Sequence, residues 1–338
     1  MRIFFVSETK DFSHRLFLEA VRKYVKGFIR LGHDTHLFSA NNALAVASPI
    51  RWRRLSRFWW IRRGRGLLLQ QIQLYKPDLV VVTLPRVVDA ETVQLLRGAA
   101  PKAFFVGIEG ELWPESRPGR VETAAKLDLL FTVFGQNGQH ALREAGATCV
   151  FLPMPCDPDV ERRHSVSEAW RSDVIFTGKL KHGGVPTDPM RADLIMRLAR
   201  MENCAVYGCC NRRFLGGMDY YYAISGAKMG LSINAANDIQ LCHSDRLTHY
   251  MACGALALAK RVPDSERLFR DGVHLRYFDS SEEFFDLVAR YLCDEVERDR
   301  IAGCGMNWIH REYNCETICR YMLQAMETGA YEAPWTTP

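Results

Sequence analysis

The sequence predicts an α/β protein built from two doubly wound domains, and three observations carry that expectation. Short aliphatic and β-branched runs alternate with helical patterns along nearly the whole chain, the signature of βαβ units and parallel sheets. The alternation breaks once, at Pro153, Pro155 and Pro158, where helix and central strand are both disfavoured. With 338 residues, 48% apolar and 25% charged, the chain is long enough for two ordinary cores and is neither fibrous nor disordered in composition.

Residues 3–6 read as the first strand. Phe17, Val21, Tyr24, Val25 and Phe28 then recur at helical spacing, Gly32 closes that helix, and 35–38 returns as a strand. Strands at 79–82, 104–106 and 129–133 continue the series, with helices at 67–75 and 90–97 between them. After the prolines and a polar stretch, strands are expected at 174–177, 205–207, 229–233, 255–259 and 275–278. Helices at 190–200, 220–227 and 245–251 separate them, and Ser280 with Glu283 makes a capping box for one more. The boundaries that follow are a first domain over 1–155, a linker over 156–171, a second domain over 172–310, and a terminal helix and tail over 311–338 able to dock back on the first domain. Two such domains would set the carboxyl ends of two parallel sheets around one cleft, where doubly wound folds bind ligands.

Several function classes are set aside by what the sequence lacks. Its apolar runs fall short of the roughly 18 residues that a spanning helix needs, and its start lacks a signal-peptide pattern, so a cytoplasmic protein is expected. The eleven cysteines are scattered and read as reduced packing thiols. Neither Cys209-Cys210 nor Cys315 with Cys319 has a second pair at zinc spacing, so no metal is expected. Ser7-Glu8-Thr9-Lys10 stands where a glycine-rich dinucleotide loop would follow the first strand, and no phosphate-loop signature occurs.

The basic charge is local. Residues 51–65 hold seven arginines and no acid, which leaves the rest of the chain at −2 against a total of +5. Arg51, Trp52, Arg53, Arg54, Trp59, Trp60, Arg62 and Arg63 interleave cations with aromatics, a pattern suited to an anionic lipid surface near the inner face of the plasma membrane. A nucleic-acid backbone would use the same chemistry, and so would a solvated flank that packs its tryptophans inward.

Four segments of the second half, each beside a predicted strand, carry the strongest pattern. They are 176–184 with Gly178 and Lys179, 206–208 with Tyr207-Gly208, 228–237 with Lys228, Ser232 and Asn234, and 243–259 with Arg246 and Met251-Ala252-Cys253-Gly254. This pattern resembles the CgeB-like (spore maturation protein B-like) glycosyltransferases of the GT-B superfamily. The resemblance covers about 127–326; the first 120 residues match at the level of architecture alone. It implies a GT-B fold of two Rossmann-like domains and transfer of a sugar from a nucleoside diphosphate donor, a UDP-sugar foremost, to a glycan, lipid-linked or other hydroxyl acceptor. In one respect the chain departs from the family: a glutamate usual just before the Met-Ala-Cys-Gly segment is His249 here, which takes that place among the donor-site candidates, and an earlier one falls on Leu241, so the resemblance implies no retaining mechanism.

The residues themselves suggest the same site. Ser244 or Asp245 can cap a helix starting near Arg246, and its free amides together with that guanidinium would suit a diphosphate. Lys179 and Lys181 can add charge there without a metal or other cofactor. Tyr207 can border a base, and Asn234 and Asn237 can bond hydroxyl groups or simply shape a turn. Glu109 and Glu111 follow a strand of the first domain and are candidate bases for an acceptor hydroxyl, with His14 beside Glu8 competing for the role. Two rival readings stay open: transfer to nucleic acid or protein, and a non-catalytic sugar-nucleotide-binding or glycan-binding protein on the same scaffold.

Overall fold

The structure is a computed structural model and describes residues 1–9, 20–47, 56–84, 88–111, 119–180 and 187–336. The chain divides into two compact units, Met1–Pro153 with Ile318–Tyr331, and Met154–Thr317 with Glu332–Pro338.

The first unit runs β1 (Arg2–Ser7), α1 (Ala20–Arg30), β2 (Asp34–Ser39), α2 (Ala40–Ala47), α3 (Ser56–Trp59), a π-helical turn at Trp60–Gly64, α4 (Arg65–Tyr75), β3 (Leu79–Val82), α5 (Ala90–Ala99), β4 (Phe104–Glu109), α6 (Arg120–Ala124), β5 (Leu129–Thr132), α7 (His140–Glu144) and β6 (Cys149–Phe151). Its sheet is parallel in the order β2-β1-β3-β4-β5-β6. Central parallel strands are covered on both faces, which is why β1 and β3 read as unbroken apolar runs rather than alternating ones. All four side chains of β3 are fully buried, as are Ile3, Phe4, Phe5 and Val6 of β1. Helix α1 supplies Val21, Tyr24 and Phe28 to that core from one face. Gly32, at φ +81°, turns the chain from α1 into β2, a conformation that costs other residues more. Strand β6, only three residues long and followed by prolines, gave no sequence signal.

The second unit runs β7 (Ser172–Thr177), α8 (Pro189–Leu198), β8 (Cys204–Tyr207), α9 (Met218–Ser225), β9 (Ala227–Ser232), α10 (Asp245–Ala252), β10 (Leu256–Lys260), β11 (Arg276–Phe278), α11 (Ser281–Cys293), α12 (Glu295–Glu312) and α13 (Cys315–Thr328), the last of which passes into the first unit at Ile318. The sheet is again parallel, in the order β11-β10-β9-β7-β8. Val174, Phe176, Met229, Leu231, Leu256 and Leu258 of the sheet pack with Leu194, Ile195 and Leu198 of α8 and with Phe284, Leu287 and Ile301 of the later helices. Each such burial stabilises by roughly 1.5–3 kcal/mol. The Ser280 half of the expected capping box is present, its Oγ accepting from the Glu283 amide at 3.1 Å, while the Glu283 carboxylate reaches one residue further back and accepts from the Asp279 amide at 2.7 Å.

Strand order fixes where each sheet opens. In the second unit the chain leaves β7 toward β8 on one side and β9 toward β10 on the other, so the order reverses between β7 and β9. In the first unit the corresponding reversal lies between β1 and β3. Loops diverge at such a point and leave a crevice beyond the carboxyl ends of the strands.

Helix α12 gives a direct test of this packing. A Cβ on Gly305 would lie 2.2 Å from the His274 carbonyl oxygen, whereas one on Gly303, a half-turn earlier, would meet nothing within 4 Å. Gly305→Ala is expected to destabilise the protein by about 1–3 kcal/mol. Gly303→Ala is expected to leave stability unchanged or raise it by about 0.5–1 kcal/mol. Urea melts of the two variants read both values.

Candidate functional site

Two helices begin at the reversal point of the second sheet. Asp188 caps α8 by accepting from the Met190 amide at 2.9 Å, with Pro189 in the first turn. Arg191 follows in that same turn, and Arg246 occupies the first turn of α10. A cation at a helix N-terminus is opposed by the helix dipole, yet these two converge. Arg246 donates from Nη1 to the Thr177 carbonyl at 3.1 Å and from Nη2 to the Ile233 carbonyl at 2.7 Å. Arg191 donates from Nη1 to that same Ile233 carbonyl and from Nη2 to the Lys179 carbonyl at 2.8 Å. Both guanidinium groups lie against the Phe176 ring, at 5.3 Å and 4.9 Å from its centroid.

Electrostatically the site is incomplete. Arg191 is 2% exposed, and among the described residues neither arginine forms an ion pair. Burial, joined by the neighbouring Arg246 charge, pulls the Arg191 guanidinium down to about 9. Nε of both arginines, Ser244 Oγ and Asp245 Oδ1 are buried without a hydrogen-bond partner among the described residues. Such a cluster of orphaned polar atoms is costly unless a ligand or water completes it.

The helix start is also open. Ser244 sits at the N-cap position of α10 in extended conformation, but its side chain makes no capping bond, and the helix begins at Asp245 rather than at Arg246. Neither of the two expected caps therefore competes for the first-turn amides. Gly178 and Gly208 let the neighbouring loops close in. At φ +145°, Gly178 would hold a Cβ only 2.9 Å from Arg246 Nη1; at φ +83°, Gly208 would drive one into the Phe214 ring at 2.7 Å. Lys179 is exposed beside them, and Tyr207 is half-buried at the end of β8, its carbonyl accepting from the Gly178 amide at 2.9 Å. Lys181 and His14 lie outside the described residues.

Three sequence-derived candidates have other work in the structure. Asn234 donates to the Cys242 carbonyl at 3.0 Å and its amide donates to Asn237 Oδ1 at 3.1 Å, while Asn237 Nδ2 donates to Asp188 Oδ2 at 2.7 Å. The two asparagines thus pin the loop after β9 to the cap of α8, the turn-shaping alternative, because each amide is consumed locally. His249 is 3% exposed and faces the core, held between Glu161 and Tyr220, both at 3.0 Å. It sits behind the arginine site rather than in it.

In the first unit, Glu109 closes β4 and is fully buried. Arg120 grips it with two bonds, Nε to Oε2 at 2.5 Å and Nη2 to Oε1 at 2.8 Å, and the Glu111 amide adds a third at 2.7 Å. Burial opposes the Arg120 charge, but the Glu109 bonds and the neighbouring Glu111 and Glu8 charges outweigh it and raise the guanidinium above its usual range. Both oxygens of the Glu109 carboxylate are thus engaged inside the first unit. Glu111 is half-buried at the end of the same strand loop.

Of the basic segment, Arg51, Trp52, Arg53 and Arg54 lie outside the described residues. Trp60 is 1% exposed and packs edge-on against Phe38 at 6.5 Å, so it cannot reach a surface partner. Gly64 makes room for that indole, since a Cβ there would lie 2.6 Å from it. Trp59 is half-buried. Phe58, Ile61, Arg62 and Arg63 are exposed, with Arg62 over the Phe58 ring at 5.2 Å and Arg63 over Trp59 at 5.7 Å. Among the described residues no helix is long and apolar enough to cross a membrane, and no three His, Cys, Asp or Glu side chains gather as a metal site.

Arg191, Arg120 and Glu161 are the residues that sequence reading missed. A signal existed for Arg191: an arginine two positions after an Asp-Pro helix start stands where the dipole disfavours it, and so calls for a counter-charge.

Comparison with known proteins now bears on this geometry. Residues 190–324 match the family model described as Glycosyl transferase-like, a stretch that contains both Arg191 and Arg246. None of the curated proteins matches the chain. Among solved structures, Anabaena HepE (Alr3699) in complex with UDP-glucose superposes with a TM-score of 0.64 at 14% identity, over 97% of this chain and 100% of that one. The fold is GT-B. Sucrose-phosphate synthase from Thermosynechococcus elongatus superposes with a TM-score of 0.67 at 12% identity, over 96% and 98% of the two chains. The lipopolysaccharide outer core galactosyltransferase WaaB does so at 0.57 and 13%, over 97% and 100%.

The Glu109–Arg120 pair carries its own prediction. Glu109→Ala leaves a buried guanidinium unpaired and is expected to destabilise the protein by about 3–5 kcal/mol in chemical denaturation. Full stability in that variant with transfer abolished would instead return Glu109 to the catalytic role.

Proposed function

We propose that this protein is a glycosyltransferase that moves a sugar from a nucleoside diphosphate sugar to a hydroxyl acceptor, holding the donor's diphosphate at Arg191 and Arg246. The observation that carries this reading is a buried and a half-buried guanidinium without a counter-anion among the described residues, set between two helix starts at the strand reversal of the second unit. A diphosphate supplies the missing charge through charge-assisted bonds. As the bond from the anomeric carbon to the diphosphate breaks, negative charge gathers on the departing phosphate oxygen. Two fixed cations and open helix amides stabilise that charge in the manner often assigned to a metal. The Glycosyl transferase-like match and the UDP-glucose held by HepE support a uridine nucleotide as donor. The motif pattern supports the CgeB-like branch. Glu111, with Glu109 committed to Arg120, is the candidate base for an acceptor hydroxyl, and His14 is its competitor.

The donor site is tested by calorimetry against UDP-, GDP-, CMP- and dTDP-sugars with a chelator present. Micromolar binding of one class is expected, unchanged by the chelator. Arg191→Ala and Arg246→Ala are each expected to weaken it roughly ten- to a hundredfold, the equivalent of a charged hydrogen bond worth about 1.5–3 kcal/mol. No binding by folded protein sinks the donor site. Binding without hydrolysis or transfer to any acceptor favours a non-catalytic protein on this scaffold.

On the acceptor side, exposed Phe58 and Ile61 beside Arg62 and Arg63 favour a lipid-linked acceptor at an anionic surface. Salt-sensitive cosedimentation with phosphatidylglycerol vesicles is expected, and its loss in Arg62→Glu/Arg63→Glu. Preference for DNA over vesicles at matched salt would move the acceptor to nucleic acid.

A further inference from the structure

Behind the arginine pair lies a chain of buried side chains that the proposed reaction does not use directly. Glu161 is 1% exposed and stands in the segment before β7. Its Oε1 lies 3.0 Å from His249 Nε2, and its Oε2 accepts from the Asp157 amide at 2.8 Å. His249 Nδ1 lies 3.0 Å from the Tyr220 hydroxyl. Thr177 Oγ1 reaches that hydroxyl at 3.5 Å, the longest link, and lies 3.3 Å from the Tyr250 hydroxyl. Tyr250 in turn accepts from the Thr177 amide at 2.9 Å. The chain ends at the donor site, because the Thr177 carbonyl is the acceptor for Arg246 Nη1.

Counting protons gives this chain a direction. The Tyr250 oxygen accepts from the Thr177 amide, so its own proton goes to Thr177 Oγ1, which donates to Tyr220, which donates to His249 Nδ1. That leaves Nε2 as the protonated nitrogen, donating to the Glu161 carboxylate. One proton per link accounts for each of these bonds. A proton on Nδ1 would face the Tyr220 hydroxyl and force the links beyond it to reverse.

We infer that Glu161, His249 and Tyr220 form a positioning relay that fixes the Thr177 peptide and, through its carbonyl, the Arg246 guanidinium that receives the donor diphosphate. The relay rests on the donor-site reading for its purpose but not for its existence. Tyr221 provides the control. Its hydroxyl also donates to Glu161 Oε1, at 3.4 Å, and its ring is fully buried, yet no described bond links it onward to Thr177.

The test compares wild type, Tyr220→Phe and Tyr221→Phe, each lacking one buried hydroxyl. Nitrogen-15 NMR of the histidine rings reads the tautomer, the Arg246 Nε–H resonance reads the guanidinium, and calorimetry with UDP reads the site. The expected result is a wild-type His249 protonated on Nε2 alone. Tyr220→Phe should shift the Nδ1 and Arg246 resonances and weaken UDP at least fivefold, while Tyr221→Phe has a smaller effect on all three. A His249 protonated on Nδ1, equal effects of the two variants, or no effect of Tyr220→Phe overturns the relay. If wild type binds neither UDP nor any of the other nucleotide sugars, the donor-site reading fails, and the resonances still decide the relay. If Tyr220→Phe does not fold, the wild-type tautomer and Glu161→Gln decide it, the latter expected to move the His249 Nε2 resonance and that of Arg246 together.

Discussion

Two guanidinium groups sharing one backbone carbonyl, that of Ile233, are the constraint around which the second unit is arranged. Putting a charge in a protein interior costs several kcal/mol unless each polar group finds a partner. Here the partners are carbonyls at the strand ends, Thr177 and Ile233, together with Lys179 in the loop beyond and the face of Phe176. Those carbonyls can meet only where neighbouring parallel strands end level, as β7 and β9 do. The glycines at 178 and 208 follow from the same requirement, since side chains there would strike Arg246 and Phe214. So do Asn234 and Asn237, which tie the loop after β9 to the α8 cap from which Arg191 projects.

The first unit answers the same problem differently. At the end of β4, Arg120 meets a carboxylate, and Glu109 neutralises it with two bonds while a third carbonyl, that of Leu84, takes the remaining nitrogen. One arginine is satisfied by charge and geometry together; the two in the second unit are satisfied by geometry alone. The difference separates a structural ion pair from a receptor for an anion. A protein that needed those arginines only to hold loops together would gain by placing a carboxylate beside them, and among the described residues none forms an ion pair with either.

How much of this was legible in the sequence follows from the range of each interaction. The parallel α/β architecture was legible because β1 and β3 hold continuous apolar runs, a local property, and Arg246 was legible because a helix start after a strand is also local. Strand β6 was not, being three residues long. The ion pair of Glu109 was not legible, because its partner Arg120 lies eleven residues away across a stretch with no periodic signal. His249 stood among the donor-site candidates because it falls where the resembled family carries a glutamate, whereas its partner in the structure, Glu161, lies 88 residues earlier in a segment read as linker. Asn234 and Asn237 were left open between ligand and turn, and the bond from Asn237 to Asp188, 49 residues earlier, has no local sequence signal. Arg191 was missed for a related reason: its carbonyl partner on Ile233 belongs to a loop two strands later.

What remains is why two like charges should be held so firmly side by side. Two like charges side by side repel, and the pressure appears in Arg191, whose guanidinium is pulled down to about 9 by burial and by Arg246. A flexible site would relax by swinging one arginine into solvent. This one cannot, because Arg191 is 2% exposed and both groups are bonded to backbone that neighbouring hydrogen bonds hold in place. Binding an anion then relieves a repulsion already present in the resting protein, and little reorganisation is left for the moment of binding or of bond breaking. That is the physical content of preorganisation: the unfavourable electrostatics are met during folding, where the apolar core of the sheet outweighs them, so a diphosphate meets donors already in place.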